Sequence, residues 1–345
     1  NNSTISNITI TNGLSPNSGA GIYISNAISN FTLENVTITD NESSYSGGGI
    51  CIVLSNLTLT NITIADNESS FWGGGISIYN SNPALMDMTI IDNSTGSLGG
   101  GIYMLDSSPT FTDVTISGNT SLHGGGGVYL TKESGNCSPT FTDMTISDNY
   151  TERSGGGFYS SSCSPTFTDV TISGNIAGGN GESTEYHGGG IYLGGGSATH
   201  LTNVTITDNS AGAGGGLFTL YCDPTLTNVT IANNSAFYTG GGLNIFGSFP
   251  NFSEENRCNI YSNTITNRGS GADISALWQN NGNWYSEDDP IEVIVDTFSV
   301  INPTDIHAAP LDIFIFDILN GVFEQVEEDL YVSPDGDNNS DGLTM

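Results

Sequence analysis

Side chains that could abstract a proton or neutralise an anionic substrate are scarce in this sequence. The 345 residues include 4 Lys and Arg against 36 Asp and Glu, which gives a formal net charge of −32. The basic residues are Lys132, Arg153, Arg257 and Arg268. Eliminative cleavage of a polysaccharide needs a positioned base, and hydrolysis needs a pair of carboxylates. Because none of the basic residues occupies a regular strand position, the sequence predicts no enzyme active site.

The acidic residues mostly occupy positions that hold Asp in some repeats and Asn in others. One such position holds Asn35, Asn61, Asp87, Asp113, Asp143, Asp169, Asn203 and Asn228. Asn and Asp tolerate φ > 0 better than other non-glycine residues, so a backbone corner accepts either. An acid catalyst requires the carboxylate itself, and we therefore interpret this row as structural.

One acidic segment has the spacing of a metal site. Oxygen-bearing side chains alternate at Asp335, Asp337, Asn339 and Asp341, as they do in a calcium loop. The bidentate Glu of such a loop would follow Met345. Calcium binding and a solvated turn explain the segment equally well, and no other feature requires a cofactor. The 5 Cys and 4 His show no metal-ligand spacing, and the disulfide state of the Cys is left open.

A glycine cluster followed by an apolar residue recurs along most of the chain. The last glycines of these clusters are Gly21, Gly49, Gly75, Gly101, Gly127, Gly157, Gly190, Gly216 and Gly242, and a degenerate copy ends at Gly271. Most steps are 26 residues, with insertions that lengthen a few of them to 28, 30 or 33. A fixed period with small insertions is typical of a solenoid.

One unit, residues 99–123, shows how a coil is built. Ile102 and Met104 alternate with an outward residue as in a strand, and a turn follows at Pro109. Phe111 and Val114 both point inward, so the chain must bend at Asp113 between them. Three short strands and three corners then make a triangular coil. The sequence predicts an all-β right-handed parallel β-helix of about ten coils over residues 1–272.

The corner after the third strand carries an Asn in almost every coil. These residues are Asn41, Asn67, Asn93, Asn119, Asn149, Asn175, Asn209 and Asn234. Stacked coils lie about 4.8 Å apart, so identical amides can hydrogen-bond from coil to coil. We expect a buried ladder of Asn side chains along the rod.

The motif Ile116-x-x-Asn119 followed by Gly124–Gly127 carries a family resemblance. It resembles the GGAI and FxxN repeats of chlamydial polymorphic outer-membrane proteins, with Gly for Ala and Ile for Phe. It is still more similar to the pectate-lyase-like β-helix repeats of large secreted bacterial surface proteins. The resemblance covers residues 1–272 and implies an extracellular or cell-surface location. Those relatives include adhesins and structural surface proteins beside polysaccharide lyases.

The ends of the chain depart from the repeat. Residues 273–329 read as an accessory β segment, and residues 330–345 resemble the lead-in strand of a following module. The first residues already read as part of a coil, without a cap. Open strand edges recruit another chain, so we expect head-to-tail self-association into a filament. The alternative is that the ends were trimmed from a longer chain.

Outward-facing side chains suggest two further surfaces. The aromatic row is a candidate glycan platform and comprises Trp72, Tyr103, Tyr129, Tyr159 and Tyr192. The structural alternative is that aromatic residues favour strands and stack on each other. A row of Thr, which includes Thr89, Thr115 and Thr145, resembles the arrays of ice-binding proteins, but exposed strands favour Thr in any case.

Sequons and charge indicate the environment. The N-glycosylation candidates are Asn7, Asn35, Asn61, Asn203 and Asn228. A body this acidic repels nucleic acid and anionic lipid, and no apolar run is long enough to insert into a membrane. We therefore expect a non-catalytic extracellular rod, structural or adhesive. The alternatives are a polysaccharide-binding module and a polysaccharide lyase or glycosidase.

Overall fold

The computed structural model describes residues 3–27, 31–178, 185–267, 269–277, 290–299 and 307–322. Its strands form three parallel sheets, and the coils up to residue 277 contribute to each sheet in turn. The predicted all-β solenoid is confirmed, with about 11 turns instead of ten. Among the described residues, no helix has the length and hydropathy needed to cross a membrane.

Sheet A holds the longest strands. Its strands are β1 (Ser3–Thr11), β4 (Phe31–Thr39), β7 (Thr58–Ala65), β10 (Ala84–Ile91), β13 (Thr110–Ser117), β16 (Thr140–Ser147), β19 (Thr166–Ser173), β22 (His200–Thr207), β25 (Thr225–Thr227), β26 (Thr230–Ala232), β29 (Asn251–Phe252), β30 (Cys258–Tyr261), β33 (Ile291–Ser299) and β35 (Phe314–Val322).

Sheet B follows the Asn corner and consists mainly of two-residue strands. They are β2 (Leu14–Ser15), β5 (Glu42–Ser43), β8 (Glu68–Ser69), β11 (Ser94–Thr95), β14 (Thr120–Ser121), β17 (Tyr150–Thr151), β20 (Ile176–Ala177), β23 (Ser210–Ala213), β27 (Ser235–Thr239) and β31 (Thr264–Ile265).

Sheet C follows the glycine corner. Its strands are β3 (Ile22–Ser25), β6 (Ile50–Val53), β9 (Ile76–Tyr79), β12 (Ile102–Leu105), β15 (Val128–Thr131), β18 (Phe158–Ser161), β21 (Ile191–Gly194), β24 (Leu217–Leu220), β28 (Leu243–Phe246), β32 (Ile274–Leu277) and β34 (Ala308–Ala309). A short 3₁₀ helix, Leu311–Ile313, separates β34 from β35.

The bend at Asp113 is present, but it does not divide the coil as expected. Asp113 has φ 53°, and Asp143 in the next coil has φ 51°. Coil-to-coil pairing nevertheless continues on both sides of the bend, from Thr112 to Thr115. The residues predicted as two strands therefore form one bent strand of sheet A. The third face of the triangle is sheet B, which the sequence analysis did not anticipate because its strands are so short.

The core is a stack of identical or similar apolar residues in register. Ile64, Ile90 and Ile116 are fully buried and lie at the same position of successive coils. Phe111 and Phe141 stack with ring centroids 5.0 Å apart, and Phe141 and Phe167 repeat that distance. Burial of such side chains contributes about 1.5–3 kcal/mol each, so each coil depends on its neighbours for its core.

The glycine corner requires close approach of the backbone between coils. A Cβ atom at Gly100 would overlap the carbonyl oxygen of Gly126 in the next coil. Gly99, beside it, has φ 71°, which disfavours a side chain for a second reason. The glycine period therefore marks a corner where consecutive coils approach too closely for a side chain.

The described residues after 272 continue the solenoid. Strand β33 pairs in parallel with β30, and β35 pairs in parallel with β33 over eight residue pairs. The guanidinium group of Arg257 donates hydrogen bonds to the carbonyl oxygens of Val295 and Asp317 and to the Asp317 carboxylate. The small C-terminal β extension is thus built on sheets A and C themselves.

Candidate functional site

A continuous row of amides runs through the corner between sheets A and B. The Nδ2 atom of Asn119 donates to Oδ1 of Asn149 at 3.0 Å, and the backbone N–H of Asn119 donates to the same oxygen. The Nδ2 atom also lies 3.0 Å from the carbonyl oxygen of Ile90. The same contacts join each member of the predicted row, Asn41, Asn67, Asn93, Asn119, Asn149, Asn175, Asn209 and Asn234.

The row extends beyond the residues identified from the sequence. Asn234 donates to Oδ1 of Asn263 at 3.0 Å, and Asn263 donates to Oδ1 of Asp273 at 2.7 Å. The other oxygen of Asp273 lies 2.7 Å from Nδ1 of His307, which is 3% exposed. Asn263 stands three residues after Ile260, as Asn119 does after Ile116, so its signal was present in the sequence. The pairing of Asp273 with His307 had no periodic signal.

A second row of small polar residues lines the corner between sheets C and A. It comprises Ser55, Ser81, Ser107, Cys137, Cys163, Ser197, Cys222 and Ser248, all buried. The backbone N–H of Ser55 donates to Oγ of Ser81 at 2.9 Å, and the N–H of Ser81 donates to Oγ of Ser107. For six of these eight residues, the signal in the sequence is a Ser or Cys two residues before a Pro, as at Ser107 and Pro109.

One pair in this row is covalent. Cys137 and Cys163 are 26 residues apart, occupy adjacent coils and form a disulfide bond. Cys51, Cys222 and Cys258 are free and buried. Burial raises the pKa of Cys222 and of Cys258 to about 11, so these thiols stay protonated and poorly nucleophilic at neutral pH.

The rings of the aromatic row pack face to face on one another, so they do not present their faces to solvent. Tyr129 and Tyr159 stack with centroids 4.5 Å apart and rings 4° from parallel, and Tyr192 continues the stack. Tyr103 is only 6% exposed, and Trp72 covers its free face. Each ring face packs on the next ring, because the side chains repeat at the coil spacing.

The ends of this column are also covered. Tyr192 packs on Phe218, and the imidazole of His187 stacks on Phe218 at 4.4 Å. Burial raises the pKa of Tyr129 and lowers the pKa of His187. The column is therefore a packed layer outside sheet C, with ring edges alone available to a ligand.

The threonine row lies in register on the outer face of sheet A. Thr89 pairs with Thr115, and Thr115 pairs with Thr145. The row continues without interruption from Thr9 to Thr230. This face is a regular hydroxyl surface supported by buried Ile and Val on its other side.

The predicted sequon residues all lie on the exposed surface. Asn7 is exposed at an outward bend with φ 57°. Asn61 donates to Oδ1 of Asn35 at 2.6 Å, and Asn228 donates to Oδ1 of Asn203 at 2.9 Å. The candidate calcium ligands Asp335, Asp337, Asn339 and Asp341 lie outside the described residues, as does Arg268.

A cleft opens on the corner between sheets B and C. Its volume is about 380 Å³, and its lining residues are Leu122, His123, Tyr150, Glu152, Arg153, Gly178 and Tyr186. His123, Arg153 and Tyr186 each stand four residues before the last glycine of their cluster. They therefore occupy one position in three consecutive coils. Aligning the coils on their glycines would have revealed this group from the sequence.

Backbone hydrogen bonds fix the walls of the cleft. The N–H of Tyr150 donates to the carbonyl oxygen of Asn119 at 2.9 Å, and the N–H of Gly178 donates to that of Thr151 at 3.1 Å. The N–H of Arg153 donates to Oγ1 of Thr151. Chemically, the cleft offers a carboxylate, a guanidinium, an imidazole and two phenol rings.

Comparisons with known proteins bear on the fold. The family model described as "right handed beta helix region" matches residues 1–143 and 100–288. No curated protein and no solved structure matches the chain. Together, the two matched segments span most of the sequence and coincide with the coils described above. The chain therefore belongs to the right-handed β-helix family.

Proposed function

We propose that this protein is a non-catalytic extracellular rod with a structural or adhesive role. The observation that carries the proposal is the unbroken amide row from Asn41 to Asp273, which ties each coil to the next. Fully hydrogen-bonded buried polar rows rigidify a structure, and a partly satisfied row would weaken it. The buried polar groups of this protein link its coils along one axis, and such an arrangement suits a load-bearing role.

The acidic residues support a non-catalytic role. Asp87, Asp113 and Asp143 all lie at left-handed bends, with φ between 51° and 53°. Asn replaces them in other coils at the same bends, so backbone conformation explains their presence. Arg257 is tied to Asp317, whose pKa it lowers through its hydrogen bond. Each of these charged groups has a structural task in the coil.

An oxidising location is favoured by the cysteines. The Cys137–Cys163 disulfide joins two adjacent coils, and disulfides persist mainly in extracellular compartments. The exposed sequon residues on sheet A fit the same location, where glycans can be attached.

Head-to-tail assembly is the next part of the proposal. Ile10 is half-buried in the first described coil, whereas Ile38 at the same position of the next coil is 0% exposed. Phe316 and Ile318 are half-buried on β35, whereas the facing Val293 and Val295 are 0% exposed. A further coil stacked on either end would cover these residues. A second copy of the chain supplies such a coil, and contact of this heterologous kind propagates into a filament.

Electron microscopy and sedimentation of the purified chain test the assembly. We expect filaments with the width of one coil, and a mass that rises with protein concentration. A monodisperse monomer at high concentration would refute assembly. Polysaccharide binding is the second candidate function, and the cleft at Arg153 is the observation that favours it.

A further inference from the structure

The cleft beside Arg153 combines a guanidinium group, a carboxylate and two phenol rings. Its volume of about 380 Å³ falls within the range of ligand pockets, which is roughly 300–1,000 Å³. His123, Arg153 and Tyr186 lie one above the other in three consecutive coils, and Tyr150 lines the same cleft from β17. Adjacent coils are about 4.8 Å apart, so the three side chains form a short row parallel to the rod axis.

Arg153 is available to a ligand. Neither of the two ion pairs formed by the described residues involves it, since these join Arg257 to Asp317 and His307 to Asp273. Its side chain is exposed, as is that of the neighbouring Glu152. The guanidinium offers several fixed donors, and the carboxylate offers acceptors. Hydroxyl groups on adjacent carbons of a sugar can accept hydrogen bonds from the guanidinium and donate hydrogen bonds to the carboxylate.

The charge of the cleft indicates a neutral ligand. Glu152 and Arg153 cancel, and the remainder of the chain carries a large negative charge, with a formal total of −32. That field disfavours an anionic ligand. A cationic ligand would meet the Arg153 guanidinium inside the cleft. The rings of Tyr150 and Tyr186 provide apolar faces that suit the C–H face of a pyranose.

We propose that this cleft binds a neutral saccharide, with Arg153 and Glu152 hydrogen-bonding adjacent hydroxyls and Tyr150 and Tyr186 contacting the sugar ring. The inference rests on the adhesive part of the proposed function. It places the carbohydrate contact at the cleft and not at the packed tyrosine column. The rigid backbone around Thr151 holds the cleft in place before binding, because its amides are engaged with neighbouring coils.

A glycan array printed with neutral, acidic and amino oligosaccharides tests the inference, followed by calorimetric titration with the best-bound neutral oligosaccharide. We expect the unmodified chain to bind neutral members. Tyr186→Ala and Arg153→Ala should each weaken binding by about tenfold or more, which corresponds to about 1.4 kcal/mol. Arg153→Lys should weaken binding too, because it keeps the charge but loses the fork of donors.

Tyr238→Ala is the matched control. Tyr238 stands at the same position of its coil as Tyr186, it is 49% exposed, and it lies outside the cleft. Its replacement should leave binding unchanged. Absence of binding to every neutral saccharide would overturn the inference, as would binding that survives both cleft variants. Filament formation is measured separately, so a rod that assembles without binding sugar would remove this inference alone.

Discussion

The Nδ1 atom of His307 lies 2.7 Å from Oδ2 of Asp273, and this buried pair ends the amide row that begins at Asn41. The other oxygen of Asp273 accepts from the side chain and the backbone of Asn263. A residue of the C-terminal extension thus completes a hydrogen-bonding network that runs through the coils. The extension and the solenoid are linked through the carboxylate of Asp273.

Replacement of His307 should therefore loosen the last coils first. His307→Ala leaves one oxygen of a fully buried carboxylate without its partner, a change that costs about 3–5 kcal/mol. Hydrogen exchange should show faster exchange in Tyr261–Leu277, while Thr110–Ser117 is unchanged. Equal protection of both segments in the variant would show that the pair contributes little. The double variant Asp273→Asn with His307→Ala removes the buried charge and should recover part of the loss.

The amide row itself should be sensitive at its centre. Asn119→Ala removes the acceptor of Asn93 and the donor to Asn149, and we expect a loss of about 1–3 kcal/mol. Asn61→Asp is the control, since Asn61 is exposed at a bend with φ 53° that Asp occupies in other coils, so this change removes only a surface bond to Asn35. Urea denaturation measures the unfolding midpoint of each variant. Similar midpoints for the two variants would argue against a stabilising ladder.

The disulfide should stabilise the middle of the rod. Reduction of Cys137–Cys163 is expected to lower the free energy of unfolding by about 2–4 kcal/mol, because the link restrains the unfolded chain. The double Ser variant introduces the residue found at this corner in other coils, so it should be more stable than the double Ala variant. Thermal melting with and without reductant measures the effect. A melting curve that reductant leaves unchanged would contradict a stabilising bond.

One buried hydroxyl should be dispensable. The Oγ1 atom of Thr219 is buried and has no hydrogen-bond partner among the described residues. Thr219→Val keeps the shape and removes the unpaired group, so we expect stability to rise by about 1 kcal/mol. Thr95→Val is the control, because Thr95 accepts a hydrogen bond from Ser69 at 3.0 Å. Its replacement should lower stability. A loss in both variants would indicate an unseen partner for Thr219.

No lyase or glycosidase activity is expected on pectin or alginate. The formal charge of −32 repels acidic polymers, and the cleft holds a single Arg balanced by Glu152. The assay follows absorbance of unsaturated ends and release of reducing ends. Product formation at an enzymatic rate, lost in Arg153→Ala, would reverse this prediction.

The periodic features of the fold could be predicted from sequence, because each repeats at the coil spacing. The bend at Asp113 and the ladder at Asn119 are examples, since residue type and period both point to them. The burial of Tyr103 could not be predicted, because it depends on the ring of Trp72, which comes from the preceding coil and stacks on the ring of Tyr103. The contact of His307 with Asp273 joins segments 34 residues apart outside the regular repeat, so no period signals it.

The cleft shows a second limit on what could be predicted from the sequence. The four His were compared only for metal-ligand spacing and the basic residues only for strand position, although His123 and Arg153 stand at equivalent positions of adjacent coils. In a solenoid, neighbours in space are separated by one period in sequence, so side chains must be compared at that offset. The depth of the cleft, in contrast, depends on where the Gly178 backbone lies, which the pattern of residue types does not specify.

The Cys137–Cys163 bond has a mechanical consequence. Tension along the axis separates a stacked coil from its neighbour by breaking the short hydrogen bonds between them, one sheet edge at a time. Such peeling can advance from either end until it reaches the covalent link. The segment from β16 to β18, which lies between the two cysteines, would then stay closed into a loop by the disulfide while the outer coils extend. A rod anchored at a surface would yield under load in two stages, and its central segment would reform the stack when the load is released.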